Sequence, residues 1–326
     1  MRRYSAGSMR IFISGASGFI GRALYERYVA DGHIVTGCDL VADPGRGIVA
    51  GDVAQPGAWQ EHASDCELFI HTAATVSLRA ERAEDIWRAN VLGTANAVAA
   101  AERADRFVHF SSVTVFGFDF PDGVDERYPV HNMFLPYPDS KIASEQVVLQ
   151  AYVEGRVRCT IVRPGDVYGP RSRVWAQIPA ELIKARRLIL PGGGHGIHSP
   201  VYIDNLVDGV MLAAASPDAV GQVFTLSDGL GVPYREFFAP YARLVGRRLI
   251  TLPAPLAIAM AAGTQQAARL APGDNEINPH SARYLLRRGT YSNAKARTVL
   301  GWEPRVSLTD GLERTTAWLR AQGFGS

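Results

Sequence analysis

The feature that most limits how this chain can fold is a set of three glycines, Gly15, Gly18 and Gly21, spaced i, i+3, i+6. They lie between a short apolar run, Arg10 to Ser14, and a helix-period stretch beginning near Phe19. Strand, glycine turn and helix come in the order that a phosphate cradle requires. Gly15 takes the tight turn, Gly18 lets a pyrophosphate approach the backbone, and Gly21 lets helix and strand pack closely. The helix N-terminus then presents free N–H groups to the anion. Ser17, Phe19 and Ile20 complete the loop that faces the phosphates. Three glycines alone also describe an ordinary turn, so the surrounding pattern decides.

Beyond the loop, β-branched runs alternate with helix-period stretches. Ile34 to Cys38, Leu68 to His71, Phe107 to Phe110 and Arg158 to Val162 read as strands, with helices near Arg82 to Arg103 and from about Tyr137. Continuous apolar strands between helices imply a parallel sheet buried on both faces. The class predicted is α/β, a doubly wound Rossmann domain over residues 9–165. After Pro164 the rhythm breaks into Gly- and Pro-rich loops such as Pro191 to Gly196, between helices such as Asp204 to Ala215 and Thr309 to Arg320. This predicts a smaller, mainly substrate-binding portion over residues 166–326, with some strands and helices returning to the first domain.

Composition narrows the partners. With 34 Lys and Arg against 32 Asp and Glu, the net charge of +2 gives no field that would hold nucleic acid or an anionic membrane, so a small-molecule substrate is expected. The three cysteines, Cys38, Cys66 and Cys159, lack C-x-x-C spacing, which fits a reducing, cytoplasmic setting and argues against a structural zinc. Met1 to Met9 reads as a disordered tail. The apolar stretch Leu252 to Ala271 is interrupted by Pro253, Pro255, Thr264, Gln265, Gln266 and Arg269. It falls short of the roughly 20 apolar residues that span a bilayer and reads as a helix covering an apolar pocket, without stable membrane insertion.

The second strand ends at Asp39, where a carboxylate accepts from the adenosine ribose hydroxyls and repels a 2′-phosphate. Leu40, Val41 and Ala42 offer no arginine to hold such a phosphate, and Arg46 is the cation that qualifies the preference. The cofactor expected is NAD. Asp52 and Val53 stand where the adenine would lie, and Thr72, Ala73 and Ala74 are small enough to let a dinucleotide rest on the backbone.

Tyr137 and Lys141 are four residues apart at a helix start, hence on one face. A phenol with a reference pKa of about 10 needs roughly 4 kcal/mol of stabilisation to become a base near neutrality. An adjacent ammonium and the positive nicotinamide of NAD⁺ are the sources expected for it. Lys141 is also placed to hold the nicotinamide ribose. Ser112, just past the fifth strand, is placed to bond the substrate oxygen while Tyr137 moves the proton.

Taken in order, Gly15-x-x-Gly18-x-x-Gly21, Asp39, His71-x-Ala-Ala74, Asn90, Ser112 and Tyr137-x-x-x-Lys141 resemble the extended short-chain dehydrogenase/reductases, the NAD-dependent epimerase/dehydratase family. The likeness continues through Arg163-Pro-Gly-Asp-Val-Tyr-Gly-Pro170, Val201-Tyr-Ile-Asp-Asn-Leu-Val207 and Leu300-Gly-Trp-Glu-Pro304. It implies a Ser/Tyr/Lys catalytic set assisted by Asn90, cofactor contacts that include Thr75 and Pro164, and a homodimer built on two helices from each subunit.

Within that family, dehydratases carry a carboxylate pair directly after the catalytic hydroxyl, where this chain has Val113 and Thr114. The sugar-nucleotide enzymes grip a diphosphate with an Asn and an Arg where this chain has Asp166 and His198. A carboxylate beside a diphosphate is unfavourable. Arg171 and the Lys184 to Arg187 cluster are the substitutes the sequence offers. His71-Thr-Ala-Ala-Thr-Val-Ser77, Tyr202 to Asp208 and the apolar Leu252 to Ala271 stretch resemble the 3β-hydroxysteroid dehydrogenase branch. The expectation is a hydrophobic alcohol or ketone meeting Val76, Val113, Thr114, Asp166, Arg171 and His198. A nucleotide-sugar 4-epimerase is the alternative, and a non-catalytic dinucleotide sensor a third reading that the presence of Tyr137 and Lys141 disfavours. His71, His195 and His198 lack an accompanying carboxylate cluster, so no metal site is expected.

Overall fold

Strands β1 (Arg10–Ser14), β2 (Ile34–Asp39), β3 (Ile48–Ala50), β4 (Leu68–His71), β5 (Arg106–Phe110), β6 (Cys159–Pro164) and β7 (Gln222–Leu226) form one sheet. Their order is β7-β6-β5-β4-β1-β2-β3, with every neighbouring pair parallel. The computed structural model describes residues 7–270 and 277–325. Of the stretch expected as a tail, residues 1–6 lie outside the described residues, while Met9 packs on the core.

The sheet is covered on both faces, which is why β5 and β6 are buried at every position instead of alternating with polar residues. Side chains still alternate between two cores. Ile11, Ile13, Ile70 and Val108 face Leu24 and Tyr28 of α1 (Phe19–Ala30) and Leu206 and Val210 of a later helix, whereas Phe12, Phe69 and Phe107 face the other side. That second side is covered by α2 (Ala83–Trp87) and α3 (Gly93–Ala100), joined through a π turn over Arg88–Leu92, and by α4 (Pro136–Val153). The helix read from Arg82 to Arg103 therefore contains one wide turn, and it carries Asn90 inward.

The rest of the chain adds α5 (Ile178–Lys184), α6 (Ile203–Ala215), α7 (Tyr234–Leu244), α8 (Ala254–Leu270), α9 (Pro279–Tyr284), α10 (Ala294–Leu300) and α11 (Leu308–Ala321). Two of these later pieces belong to the Rossmann layers. α6 packs with α1, and β7 pairs with β6 at the sheet edge, Phe224 opposite Val162. The elements outside the Rossmann layers thus come from stretches on either side of residues 203–226. The stretch expected as a pocket cover is α8 up to Leu270, with residue 271 outside the described residues. It turns Ala257 and Ala261 inward while Leu256 and Met260 are exposed, and it packs on α9 and the short strand Ile189–Pro191. Among the described residues no helix is long and apolar enough to cross a membrane.

The glycine loop is the tightest point of the fold. Gly15 has φ +74, and a Cβ there would lie 2.7 Å from Ala73 N; a Cβ at Gly21 would lie 2.1 Å from Gly15 O. Neither obstacle is a movable side-chain end. Gly21→Ala should therefore destabilise the protein by about 1–3 kcal/mol. A urea unfolding midpoint equal to that of the native chain would mean the loop can open without loss.

Candidate active site

The carboxyl ends of β1, β2, β4, β5 and β6 gather the site, as expected for ligand binding at the switch point of a doubly wound sheet. Gly18 precedes α1 and supplies no capping side chain, which leaves the first-turn N–H groups without side-chain partners. A Cβ at Gly18 would meet only Gly15 O, at 3.2 Å, so the space before the helix end is otherwise open. This is a cradle that fits a pyrophosphate. Ser17 at the loop tip is exposed, and Phe19 and Ile20 of the first turn pack partly on the core.

Asp39 accepts the Ser17 N–H at 2.9 Å on one oxygen and the Leu40 N–H at 2.8 Å on the other. A carboxylate has about four acceptor sites, so capacity remains for ribose hydroxyls. Arg46 donates to Asp43 at 2.7 Å and to Ser17 Oγ at 3.3 Å, and its guanidinium lies over the Tyr25 ring. The cation that qualified the NAD preference is thus matched by a carboxylate. Asp52 accepts the Ala54 N–H, and Val53 is buried against Gly93. Thr72 donates its hydroxyl to Ser14 O at 2.7 Å, bracing β4 against β1 instead of turning outward. Ala73 is half-buried, Ala74 exposed, and Pro164 closes β6.

Ser112 begins the short turn Val113–Phe116. Its Oγ accepts from Thr114 N–H at 3.2 Å and from the Thr114 hydroxyl at 3.0 Å. With both acceptor positions taken, the proton of Ser112 is free to be donated. Burial pushes the Tyr137 phenol up to about 12, and a hydrogen bond with Ser112 draws it back only in part. Lys141 is 3 % exposed and donates to Phe110 O at 2.8 Å. Burial lowers Lys141 to about 8, with Glu145 opposing. While Tyr137 is protonated, burial outweighs the lowering expected from Lys141. Burial dominates, the ammonium is directed at a carbonyl, and Tyr137 is protonated at neutral pH.

Asn90 has both its amide groups engaged. Its Oδ1 accepts the Thr75 N–H at 2.8 Å, and its Nδ2 donates to Thr75 O at 3.0 Å and to Ser140 Oγ at 2.9 Å. Ser140 in turn donates to Tyr137 O. In this arrangement Asn90 holds the Thr75 loop against α4 and reaches the reacting groups only through their backbone.

The residues expected to meet substrate separate. Val76 is exposed. Val113 is buried in a small core with Val115, Phe116, Phe120, Val124 and Tyr291, and Thr114 is turned to Ser112. Arg171 is a surface residue at φ +73, paired with Glu26 of α1 at 3.0 Å. Asp166 and His198 are fully enclosed, 3.1 Å apart. The carboxylate thought hostile to an anion already has its partner: Arg287 donates to Asp166 at 2.6 Å, and Tyr284 O–H and the Ser199 N–H donate to it as well. Arg287 also bonds Tyr234 and Tyr291 and stacks 3.7 Å from the Tyr284 ring. Burial pushes the Asp166 carboxyl up, but Arg287 and His198 outweigh it and hold it well below the usual range. Trp175, Tyr234, Phe237 and Tyr284 surround this pair. Arg287 escaped sequence reasoning because it lies 121 residues from Asp166 and no spacing links them.

The glycine cradle with Asp39 and the group of Ser112, Tyr137 and Lys141 lie at the same end of the sheet, and comparison with known proteins gives the class of the chain. Residues 11–226 match the NAD dependent epimerase/dehydratase family; the chain belongs to that family and is an NAD-dependent enzyme. It is 32 % identical over 320 residues to a 4-hydroxy-2-methyl-3-oxo-4-farnesyl-3,4-dihydroquinoline-1-oxide ketoreductase of Stigmatella aurantiaca, covering 94 % of this chain and 95 % of that one. It is 30 % identical to a UDP-glucose 4-epimerase of Mycolicibacterium smegmatis, covering 96 % and 99 %. A 3 beta-hydroxysteroid dehydrogenase/Delta 5-->4-isomerase of Mycobacterium tuberculosis is 28 % identical, covering 93 % and 88 %.

The geometry around Asp39 carries a cofactor prediction. NAD(H) should bind at least about tenfold more tightly than NADP(H), equivalent to roughly 1.4 kcal/mol. Calorimetric titration giving equal affinities would mean that Arg46 leaves Asp43 to hold a phosphate.

Proposed function

We propose that this enzyme transfers hydride between NAD(H) and a hydrophobic secondary alcohol or ketone, with Tyr137 as general acid/base. The observation that carries the reading is Tyr137 and the buried Lys141 four residues apart on α4, with Ser112 oriented by two hydrogen bonds from Thr114 so that its own proton is free to be donated. Bound NADH supplies the hydride. As a carbonyl carbon accepts it, Tyr137 gives its proton to the carbonyl oxygen, and Ser112, held from behind by Thr114, donates a hydrogen bond to the same oxygen. The product is the alcohol, and the phenolate left behind is stabilised by the Lys141 ammonium. Oxidation is the same path reversed.

A hydrophobic substrate is favoured by the charge balance. Arg287 is neutralised by Asp166 inside an aromatic enclosure and is not free for a diphosphate, and Arg171 lies at the surface paired with Glu26. The kinship to a ketoreductase named for a farnesylated quinoline points the same way. The second reading, nucleotide-sugar epimerisation, is favoured by the kinship to a UDP-glucose 4-epimerase. We further take the enzyme to be cytoplasmic, in keeping with three buried free cysteines, and homodimeric, in keeping with exposed Trp87, Leu92, Tyr152 and Val153 along α2 to α4.

NADH-linked assays against 3-ketosteroids, other hydrophobic ketones and UDP-sugars test the choice. Turnover is expected with at least one hydrophobic ketone, abolished by Tyr137→Phe with NAD affinity nearly unchanged. Robust epimerisation of UDP-glucose would overturn it. Reduction should also hold steady up to about pH 8 and fall as the pH rises through that value. Lys141, lowered by burial, loses its charge there, whereas Tyr137, raised to about 12, keeps its proton. A rate unchanged well above that pH would remove the Lys141 charge from the mechanism.

A further inference from the structure

One turn beyond Lys141 on α4, Glu145 is 2 % exposed and has no part in the steps above. Arg163 donates to it twice, from Nε at 2.8 Å and from Nη2 at 2.7 Å, and the Ser111 hydroxyl donates to the same carboxylate. These partners come from the elements that carry the site. Ser111 precedes Ser112 after β5, Arg163 precedes Pro164 at the end of β6, and Glu145 shares the helix face of Tyr137 and Lys141 at four-residue steps. The Arg163 guanidinium also lies 4.9 Å from the ring of Phe116, in the turn that Ser112 begins. We propose that Glu145 is a positioning residue of the reaction: with Arg163 and Ser111 it fixes Ser112 relative to Tyr137, and its charge holds the positive charge of Lys141 in place. The inference rests on Ser112, Tyr137 and Lys141 being the reacting set.

A buried ion pair is a poor device for stability alone, since desolvation offsets much of the attraction and an apolar pair can fill the same space. An apolar pair cannot keep an ammonium charged next door. The groups facing Lys141 are few in kind. His71 of β4 and His109 of β5 stack with each other 5.6 Å apart. Burial, and then the Lys141 charge, lowers His71 to about 3 and His109 well below its usual value, so both are neutral. Phe110 contributes a carbonyl, and Tyr137 a protonated phenol. Glu145 is the carboxylate that offsets the burial of Lys141, and Arg163 and Ser111 are the groups that face Glu145 in turn.

The test uses the chain's sparse lysines, which occur only at positions 141, 184 and 295. In the full-length protein labelled with ¹³C at the lysine ε-carbon, the Lys141 signal can be titrated directly, with Lys184 as internal reference. Glu145→Gln should move the Lys141 titration down by about one pH unit, the scale of one unit charge at a few ångströms in a partly screened interior. Glu145→Gln with Arg163→Gln removes both charges, leaves none stranded, and should give an intermediate, still lowered value; Glu145→Asp should restore most of it. In steady-state assays the alkaline limb of ketone reduction should follow the same order. A Lys141 titration indifferent to both the single and the double variant overturns the inference, even where activity falls, because a merely structural role would do that. Turnover surviving in Tyr137→Phe would instead overturn the assignment of the reacting set.

Discussion

A positive charge buried beneath the end of the fifth strand is the constraint on which the rest of this site depends. An unpaired ammonium in a protein interior would neutralise itself, so Lys141 must be compensated by what lies around it. The compensation is divided. Phe110 O accepts a hydrogen bond, Glu145 supplies an opposite charge, and His71 and His109 remain neutral because their own burial leaves no room for a second cation. His71 is further tied to Ser14 Oγ at 2.6 Å and to Thr94 Oγ1 at 3.1 Å, so the same compensation spans from β1 to α3. The Rossmann sheet is what makes this possible, because parallel strands end together and deliver Ser14, His71, Phe110 and Arg163 to one edge.

The same burial sets the state of the phenol: pushed up to about 12, Tyr137 keeps its proton at neutral pH and is a hydrogen-bond donor. Thr114 adds to this by occupying both acceptor positions of Ser112, which leaves that hydroxyl a donor. The carboxylate pair that the resemblance leads one to expect of a dehydratase is replaced here by Val113 and Thr114. Those two positions serve the small core under the turn and the orientation of Ser112.

What the sequence made legible is what local spacing encodes. The glycine loop, Asp39, and the Tyr137–Lys141 face could be read because turn geometry and helical periodicity act within a few residues. The alternation of strand and helix was read correctly for the same reason, although the π turn at Arg88–Leu92 was not, since no composition signal marks one wide turn. Long-range pairing stayed invisible. Asp166 was seen as an isolated carboxylate because Arg287 reaches it only after α6 and β7 have returned to the sheet. Glu145 was in principle accessible, four residues past Lys141 on the same face, but its meaning depends on Arg163 from another element. Val113 and Thr114 were placed near substrate on their position in the chain, whereas packing turned one into core and the other toward Ser112.

Four residues, Arg163 to Asp166, carry two buried ion pairs of opposite sense. Arg163 pairs with Glu145 on the side of the reacting groups, and Asp166 pairs with Arg287 on the side of the second portion. Pairs of this kind contribute little net stability when intact and lose several kcal/mol when one partner is removed, which makes them poor glue but stringent spacers. Between them stand Pro164 and Gly165, and a Cβ at Gly165 would lie 2.6 Å from Ser199 O, so the segment cannot slide past its neighbour. Its position is thus fixed at both ends by charge and in the middle by contact. The consequence is geometric: the aromatic enclosure around Arg287 is held at a set distance from Ser112 and Tyr137. This one short segment thereby ties the buried ion pair beside Ser111 to the aromatic enclosure around Arg287.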